Sequence, residues 1–217
     1  MTGQTDPPGE TGPSGQTGQG EDRIAPAGSD AITDPRTMRA LAHPVRLALL
    51  EALTRDGPLT ASRAAELLDD SPGNMSWHLQ TLAKYGFVEE AGGGRGRSRP
   101  WRVVSTRRRF ETSLPDPERA AAGDALEASF HERGYRRLRE WWSQRRSYSN
   151  EWRQSAFAND TITYLTAEEM RRLGEDIVEL FTRYRSRVED RSERPADALP
   201  VHLVAFAHPI PPTPSGN

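Results

Sequence analysis

The chain has 217 residues, enough for one large domain or two small ones, and no cysteine. The missing thiol excludes a disulfide framework, a thiolate metal site, an iron–sulfur cluster and a cysteine nucleophile. The formal charge of −2 conceals three blocks, −5 over residues 1–34, +6 over 35–109 and −3 over 110–217, so the basic charge is local and points to one polyanion-binding segment.

Residues 1–33 are rich in Gly, Pro, Gln, Thr and Ser. They cannot bury enough apolar surface to offset ordering, and they are expected to form a disordered acidic arm. No apolar run approaches the length of a membrane span, and no charged-then-apolar signal opens the chain. The expectation is a cytoplasmic protein with no membrane partner.

Asp34-Pro35 supplies an N-cap and a first helical residue, and Met38, Leu41 and Ala42 follow at helical spacing. His43-Pro44 interrupts. A second helix from Pro44 to about Thr54 puts Val45, Leu49 and Leu53 on one stripe. Asp56-Gly57-Pro58 is a turn, and Thr60 caps a short helix through Leu68 with Ala64, Leu67 and Leu68 inward. Ser71-Pro72 opens a helix that ends near Tyr85-Gly86. Phe87–Ala91 is a strand, Gly92-Gly93-Gly94 a turn and Arg99–Ser105 a second strand. Short helices followed by a β-hairpin make a winged helix-turn-helix plan over residues 34–106.

Within the helix at about 72–85, Met75, Leu79 and Leu82 share the buried side, while Gly73, Asn74, Ser76, Trp77, Gln80 and Lys84 point away. Asn and Gln pair bidentately with adenine, Ser bonds several base edges, and apolar atoms meet the thymine methyl group. This face suits the major groove of double-stranded DNA. It equally suits an ordinary surface helix whose Trp77 packs on a neighbour. Ser71 sits at the helix start beside the same groove, and His78 either bonds a phosphate or braces the helix. The hairpin shifts the balance toward DNA. Arg95, Arg97 and Arg99 alternate with Gly96 and Ser98, so an extended wing presents them on one side. Guanidinium groups suit phosphate oxygens and the minor groove. Arg102 and Arg107-Arg108-Arg109 extend the basic surface.

Leu41-Ala42-His43-Pro44-Val45-Arg46 with Leu49-Leu50, Ser71-Pro72 through Ser76-Trp77-His78-Leu79, and Leu82 with Gly86-Phe87-Val88 resemble the ArsR-type winged helix-turn-helix regulators. Gly94-Arg95-Gly96-Arg97-Ser98-Arg99-Pro100-Trp101 resembles the wing of one branch of that group. The resemblance covers residues 38–104 and implies a dimeric DNA-binding transcription factor, often a repressor, whose fourth helix reads the operator. Metal-sensing members hold their ion through a Cys-x-Cys pair before the recognition helix, or through Asp, His and Glu sets outside it. Thr60–Leu68 has no Cys, and His131-Glu132 lacks partners at ligand spacing. No metal and no cofactor are expected.

Residues 107–115 read as a linker and 116–208 as a dimerisation or effector module. Asp116-Pro117 opens a long helix to about Arg145, with Leu126, Phe130, Leu138 and Trp142 on one stripe and Gly134 allowing close approach. A two-fold dimer on this helix, joined by Met38 and Leu41 of the first helix, is expected. Asp160–Leu165 alternates like a strand, and Thr166 to Glu169 is a capping box. The helix that follows has Met170, Leu173, Ile177, Phe181, Tyr184 and Val188 on one face, and Leu199–Ala207 reads as a strand. The expected fold class is α+β, mainly α, with a small C-terminal α+β unit and a tail over 209–217. Aromatic and Arg residues mix over 131–157, as in a core or interface, a small-molecule pocket or a nucleic-acid surface. Trp141, Trp142, Trp152, Phe157 and Tyr164 are the expected lining for a small organic effector.

His43, His202 and His208 read as structural. No Ser/His/Asp order, phosphate loop or zinc-hydrolase spacing marks an enzyme. The function expected is a sequence-specific repressor acting as a homodimer. The alternative is a winged-helix protein-interaction module that docks a partner through its C-terminal unit without reading DNA.

Overall fold

A computed structural model describes residue 1 and residues 32–94, 98–105, 110 and 115–211. Proline and a capping side chain together start the early helices. Asp34 accepts the Thr37 N–H at 2.8 Å ahead of α1 (Pro35–Leu41), and His43 Nδ1 accepts the Val45 N–H at 3.2 Å ahead of α2 (Pro44–Asp56). His43 is therefore an N-cap. Gly57 leaves α2 at φ +82°, where a Cβ would be strained, and leads into β1 (Leu59–Thr60). Thr60 caps α3 (Ala61–Leu68), and Ser71 caps α4 (Pro72–Lys84). β2 (Val88–Glu90) and β3 (Pro100–Val103) form the hairpin.

β1 had no signal of its own, because two residues are too few for alternation to show. It exists because β3 lies at the centre of a β1-β3-β2 antiparallel sheet, with Leu59 opposite Trp101 and Val88 opposite Val103. Met38, Leu41, Leu47, Leu49, Met75, Leu79, Leu82 and Phe87 fill the core between the helices and this sheet. Met38 and Leu41 cannot join a dimer seam, since both are sealed inside their own domain.

The long helix α5 (Pro117–Gln144) starts at an Asp116 cap and packs on α1, adding Ala122 and Leu126 to the same core. Phe110 pairs in a parallel bridge with Ile32, and its ring lies 5.9 Å from that of Phe130. Farther along, Glu51 of α2 receives hydrogen bonds from Arg133 (Nε, 2.9 Å) and from Arg137. Burial alone would raise the Glu51 carboxyl, but the two guanidinium groups outweigh it and hold the carboxyl below its ordinary value. This half-buried triad ties α5 to the helix that supports the helix-turn-helix.

Past α5 the chain forms α6 (Asn150–Ser155), α7 (Ala167–Thr182) and α8 (Ser186–Glu189). The capping box at Thr166 and Glu169 forms as its spacing predicts. The two expected strands do not. Residues 160–165 and 199–207 contain no strand, and the sheet among the described residues lies wholly within 59–103. Alternation in 160–165 and an apolar run in 199–207 prepare a segment for a ladder but cannot supply a partner edge, and neither segment meets one among the described residues. Residues near 206 instead run along α5. Val204 and Phe206 come within 3.7 Å of where a Cβ on Gly134 would sit, and the Phe206 ring stands edge-on to His131 at 4.6 Å. Gly134 does permit a close approach, but the chain approaching it is its own C-terminal segment. Arg191 returns to the α2–β1 turn, where Nη2 donates to the Arg55 carbonyl at 3.2 Å.

Candidate nucleic-acid interface

The turn between α3 and α4 is set by Asp69, in the left-handed region at φ +53°, followed by Asp70 and Ser71. Ser71 Oγ accepts the Asn74 N–H at 3.1 Å, so this hydroxyl is a helix cap. Met75, Leu79 and Leu82 anchor the inner side of α4 in the core. Gly73, Asn74, Trp77, Gln80 and Lys84 remain exposed, and Ser76 is half-buried. Trp77 keeps 56% of its surface open and does not sink against a neighbouring helix. Gln80 Nε2 donates to Ser76 Oγ at 3.5 Å, and the Lys84 ammonium lies 6.0 Å from the Tyr85 ring centre.

His78 departs from the expected set. It is 3% exposed, its ring lies 4.8 Å from those of His43 and Trp77, and it therefore braces α4 and cannot reach a phosphate. Its helical phase, one position before Leu79, had left both roles open. Burial holds its imidazole below the ordinary value, with His43 and Arg46 adding repulsion and Asp70 opposing them. His43 is held down in the same way, by burial and then by Arg46. The Nδ1 of His78 and the Nε of Arg46 are buried without hydrogen-bond partners among the described residues. Arg46 Nη2 reaches the Arg39 carbonyl at 3.4 Å.

On the wing, Arg99 is exposed and donates to Glu90 at 2.6 Å, and Arg102 pairs with Glu89 at 2.7 Å across the hairpin register. Arg95 and Arg97, and also Arg107, Arg108 and Arg109, lie outside the described residues. Sequence reasoning counted the wing arginines and missed these acids. The register sets Glu89 opposite Arg102 and Glu90 opposite Trp101, whereas a tight turn read at Gly92-Gly93-Gly94 would set Glu89 opposite Arg97, so sequence reasoning had no register that reveals these pairs. It also missed Asp70, which sits four residues before Asn74 and accepts its Nδ2 at 2.7 Å.

The five aromatic residues expected to line an effector pocket are not gathered. The Trp141 ring lies tilted against that of Tyr148 at 5.1 Å, Trp152 is half-buried, Trp142 is exposed, and Phe157 and Tyr164 are 79% and 97% exposed. Neither the cavity lined by Pro44, Ala128, Ser129, Glu132 and Arg136 nor that lined by Asp176, Glu179, Leu180, Thr182 and Arg183 contains any of them. They lie on the last turns of α5 and in the segments after it, outside the buried core. Among the described residues, no group of three or more His, Asp or Glu is placed to hold a metal ion, and no helix is long and apolar enough to cross a membrane.

Comparison with curated proteins finds no match. A helix-turn-helix domain family matches residues 41–91, the stretch that holds α2, β1, α3, α4 and β2. The chain thus carries a helix-turn-helix domain, with its third helix, α4, presenting a polar and aromatic outer face.

Proposed function

We propose that the chain is a transcriptional regulator that binds operator DNA sequence-specifically as a homodimer and acts as a repressor of the ArsR-like type without a cysteine metal site. The observation that carries this reading is the single open face of Asn74, Trp77, Gln80 and Lys84 on a helix whose opposite face is locked into the core. In this reading residues 34–106 bind the duplex, α4 lies in the major groove, and the wing with Arg95, Arg97 and Arg99 follows the backbone. Two copies would meet two half-sites about one DNA turn apart, roughly 34 Å. Residues 116–208 form the dimerisation and sensing part, and the signal is a small organic molecule whose binding residues are not the five scattered aromatics.

The experiment is genomic footprinting followed by binding isotherms on the recovered operator and a scrambled duplex. Asn74→Ala or Gln80→Ala should cost about 1–3 kcal/mol on the operator where the contact is bidentate and leave the scrambled duplex unchanged. Arg97→Ala and Arg99→Ala should weaken both. Equal losses on both duplexes for both classes would overturn the assignment of α4 as the reading element.

A second reading is favoured by one observation. Leu173, Phe181, Val201 and Phe206 are each exposed on the C-terminal half, the kind of apolar surface a protein-interaction module offers. A folded chain with no preference for any duplex would transfer the conclusion to that reading.

A further inference from the structure

We propose that Asp70 is a specificity-determining positioning residue: it fixes the polarity of the Asn74 carboxamide so that α4 accepts adenine and rejects guanine at the base Asn74 meets. The inference rests on the reading of α4 as the DNA-reading helix. Both oxygens of Asp70 are in use. Oδ1 accepts the Ser71 N–H at 2.6 Å and Oδ2 accepts the Asn74 Nδ2 at 2.7 Å, while the Asn74 backbone N–H is held by Ser71 Oγ at 3.1 Å. Asn74 is thus tied at its main chain and at one end of its side chain. An ionised carboxylate only accepts hydrogen bonds, so the end facing Asp70 must be the NH2 group. The reversed amide would set Oδ1 against a negative charge. The Ser71 N–H and the Asn74 amide also hold the Asp70 carboxyl below its ordinary value, which keeps it ionised.

That polarity has consequences at a base edge. Adenine offers the N7 acceptor and the N6 donor, and an amide with Oδ1 and one N–H free can serve both. Guanine offers two acceptors, N7 and O6, and needs both amide hydrogens. One of these is committed to Asp70. A fixed amide also loses less rotamer freedom on binding than a mobile one. The arrangement carries an electrostatic penalty, since Asp69 and Asp70 bring two negative charges toward a polyanion. Beyond its bond to the Ser71 N–H at the start of α4, Asp70 therefore costs affinity for every duplex, and the proposal sets discrimination against that cost.

The test uses the full chain, the footprinted operator, and operators with each adenine replaced in turn by guanine. Asn74→Ala identifies its base pair as the one whose preference disappears. At that pair, Asp70→Asn and Asp70→Ala should each reduce the adenine-over-guanine preference from about tenfold or more to within about threefold, the scale of one bidentate contact. Affinity for a scrambled duplex should rise a few-fold. Asp70→Asn keeps an acceptor for the Ser71 N–H and tolerates either amide polarity, so it separates lost positioning from a damaged helix start. In a double-mutant cycle, Asp70→Ala should add no further loss of preference to Asn74→Ala. In the free protein, the Asn74 side-chain amide NMR signals should track titration of the Asp70 carboxyl and stop doing so in Asp70→Asn. Preference kept in both Asp70 variants but lost in Asn74→Ala overturns this inference and leaves the α4 reading standing. Preference unchanged in Asn74→Ala overturns the α4 reading itself. Amide signals indifferent to Asp70 overturn the positioning contact whatever the duplex results.

Discussion

The two halves of the chain treat their apolar residues in opposite ways. Through α4, the hairpin and the first turns of α5, the amphipathic stripes find partners: Met38, Leu49, Met75, Leu79, Phe87 and Leu126 expose nothing. Beyond that point the stripes are as regular and stay open. α7 has no buried residue, and Leu173, Phe181, Val201 and Phe206 each expose about two-fifths or more of their surface. Periodicity says which face of a helix should be covered, and a core exists only where a second surface of matching shape arrives. One half of this chain supplies its own second surface. The other half, among the described residues, leaves its stripes uncovered.

The largest effect should come from the closed half. Phe87→Ala removes a fully buried ring and should cost about 3–5 kcal/mol in denaturant unfolding of the helix-turn-helix domain. Phe206→Ala, in the open half, should cost under about 1 kcal/mol for the monomer. If self-association covers this region, the same variant would instead weaken the dimer, and sedimentation at several concentrations would show it. A Phe206 cost equal to that of Phe87 in a strictly monomeric sample would break the comparison.

Glu51→Gln tests the seam between the halves. It leaves Arg133 and Arg137 facing each other at a half-buried site, and should destabilise by about 1–3 kcal/mol, between the values for exposed and for buried pairs. The measurement is thermal unfolding followed residue by residue with NMR, comparing the Trp101 indole N–H with backbone amides of α5 beyond Gly134. Uncoupled transitions in the variant, where the wild type shows one, would sharpen the division.

A smaller effect is expected from protons. His43 and His78 are both held below the value of 6.5 that they regain on unfolding, so the unfolded chain binds more protons in the window beneath 6.5. Stability should be full above that value and should fall as pH drops through the window, by at most about 1.4 kcal/mol per pH unit for each imidazole. His78→Phe should flatten the dependence. A stability that is level from pH 7 to 5 in the wild type would contradict the burial of this pair.

The same contrast explains how much was legible. Helix starts were readable to the residue, because Asp34, Thr60, Ser71, Asp116 and Thr166 act through bonds to N–H groups three residues on. The outer face of α4 followed from phase alone. His78 was not readable, because it lies at the border of the buried stripe and only the position of His43, on another helix, decides its side. β1 and the Glu89 and Glu90 pairs depend on register between segments some ten or more residues apart. The C-terminal strands failed for the most general reason: an apolar run such as 199–207 suits a strand but cannot supply a partner edge, and the surface that Val204 and Phe206 met was a glycine on α5.

The ion pairs on the wing change what ionic strength can do to this molecule. An arginine that meets a DNA phosphate displaces about 0.9 of a condensed cation from the duplex, and that release normally makes binding fall steeply as salt rises. Arg99 and Arg102 arrive with Glu90 and Glu89 already in place. In the proposed DNA complex, each guanidinium that turned to a phosphate would leave a carboxylate to recruit a cation from solution, so part of the release would be returned. On that proposal the hairpin would act as an ion exchanger. Its logarithmic salt slope should be shallower than its arginine content suggests, and Glu89→Gln with Glu90→Gln should steepen that slope while raising affinity most in dilute buffer.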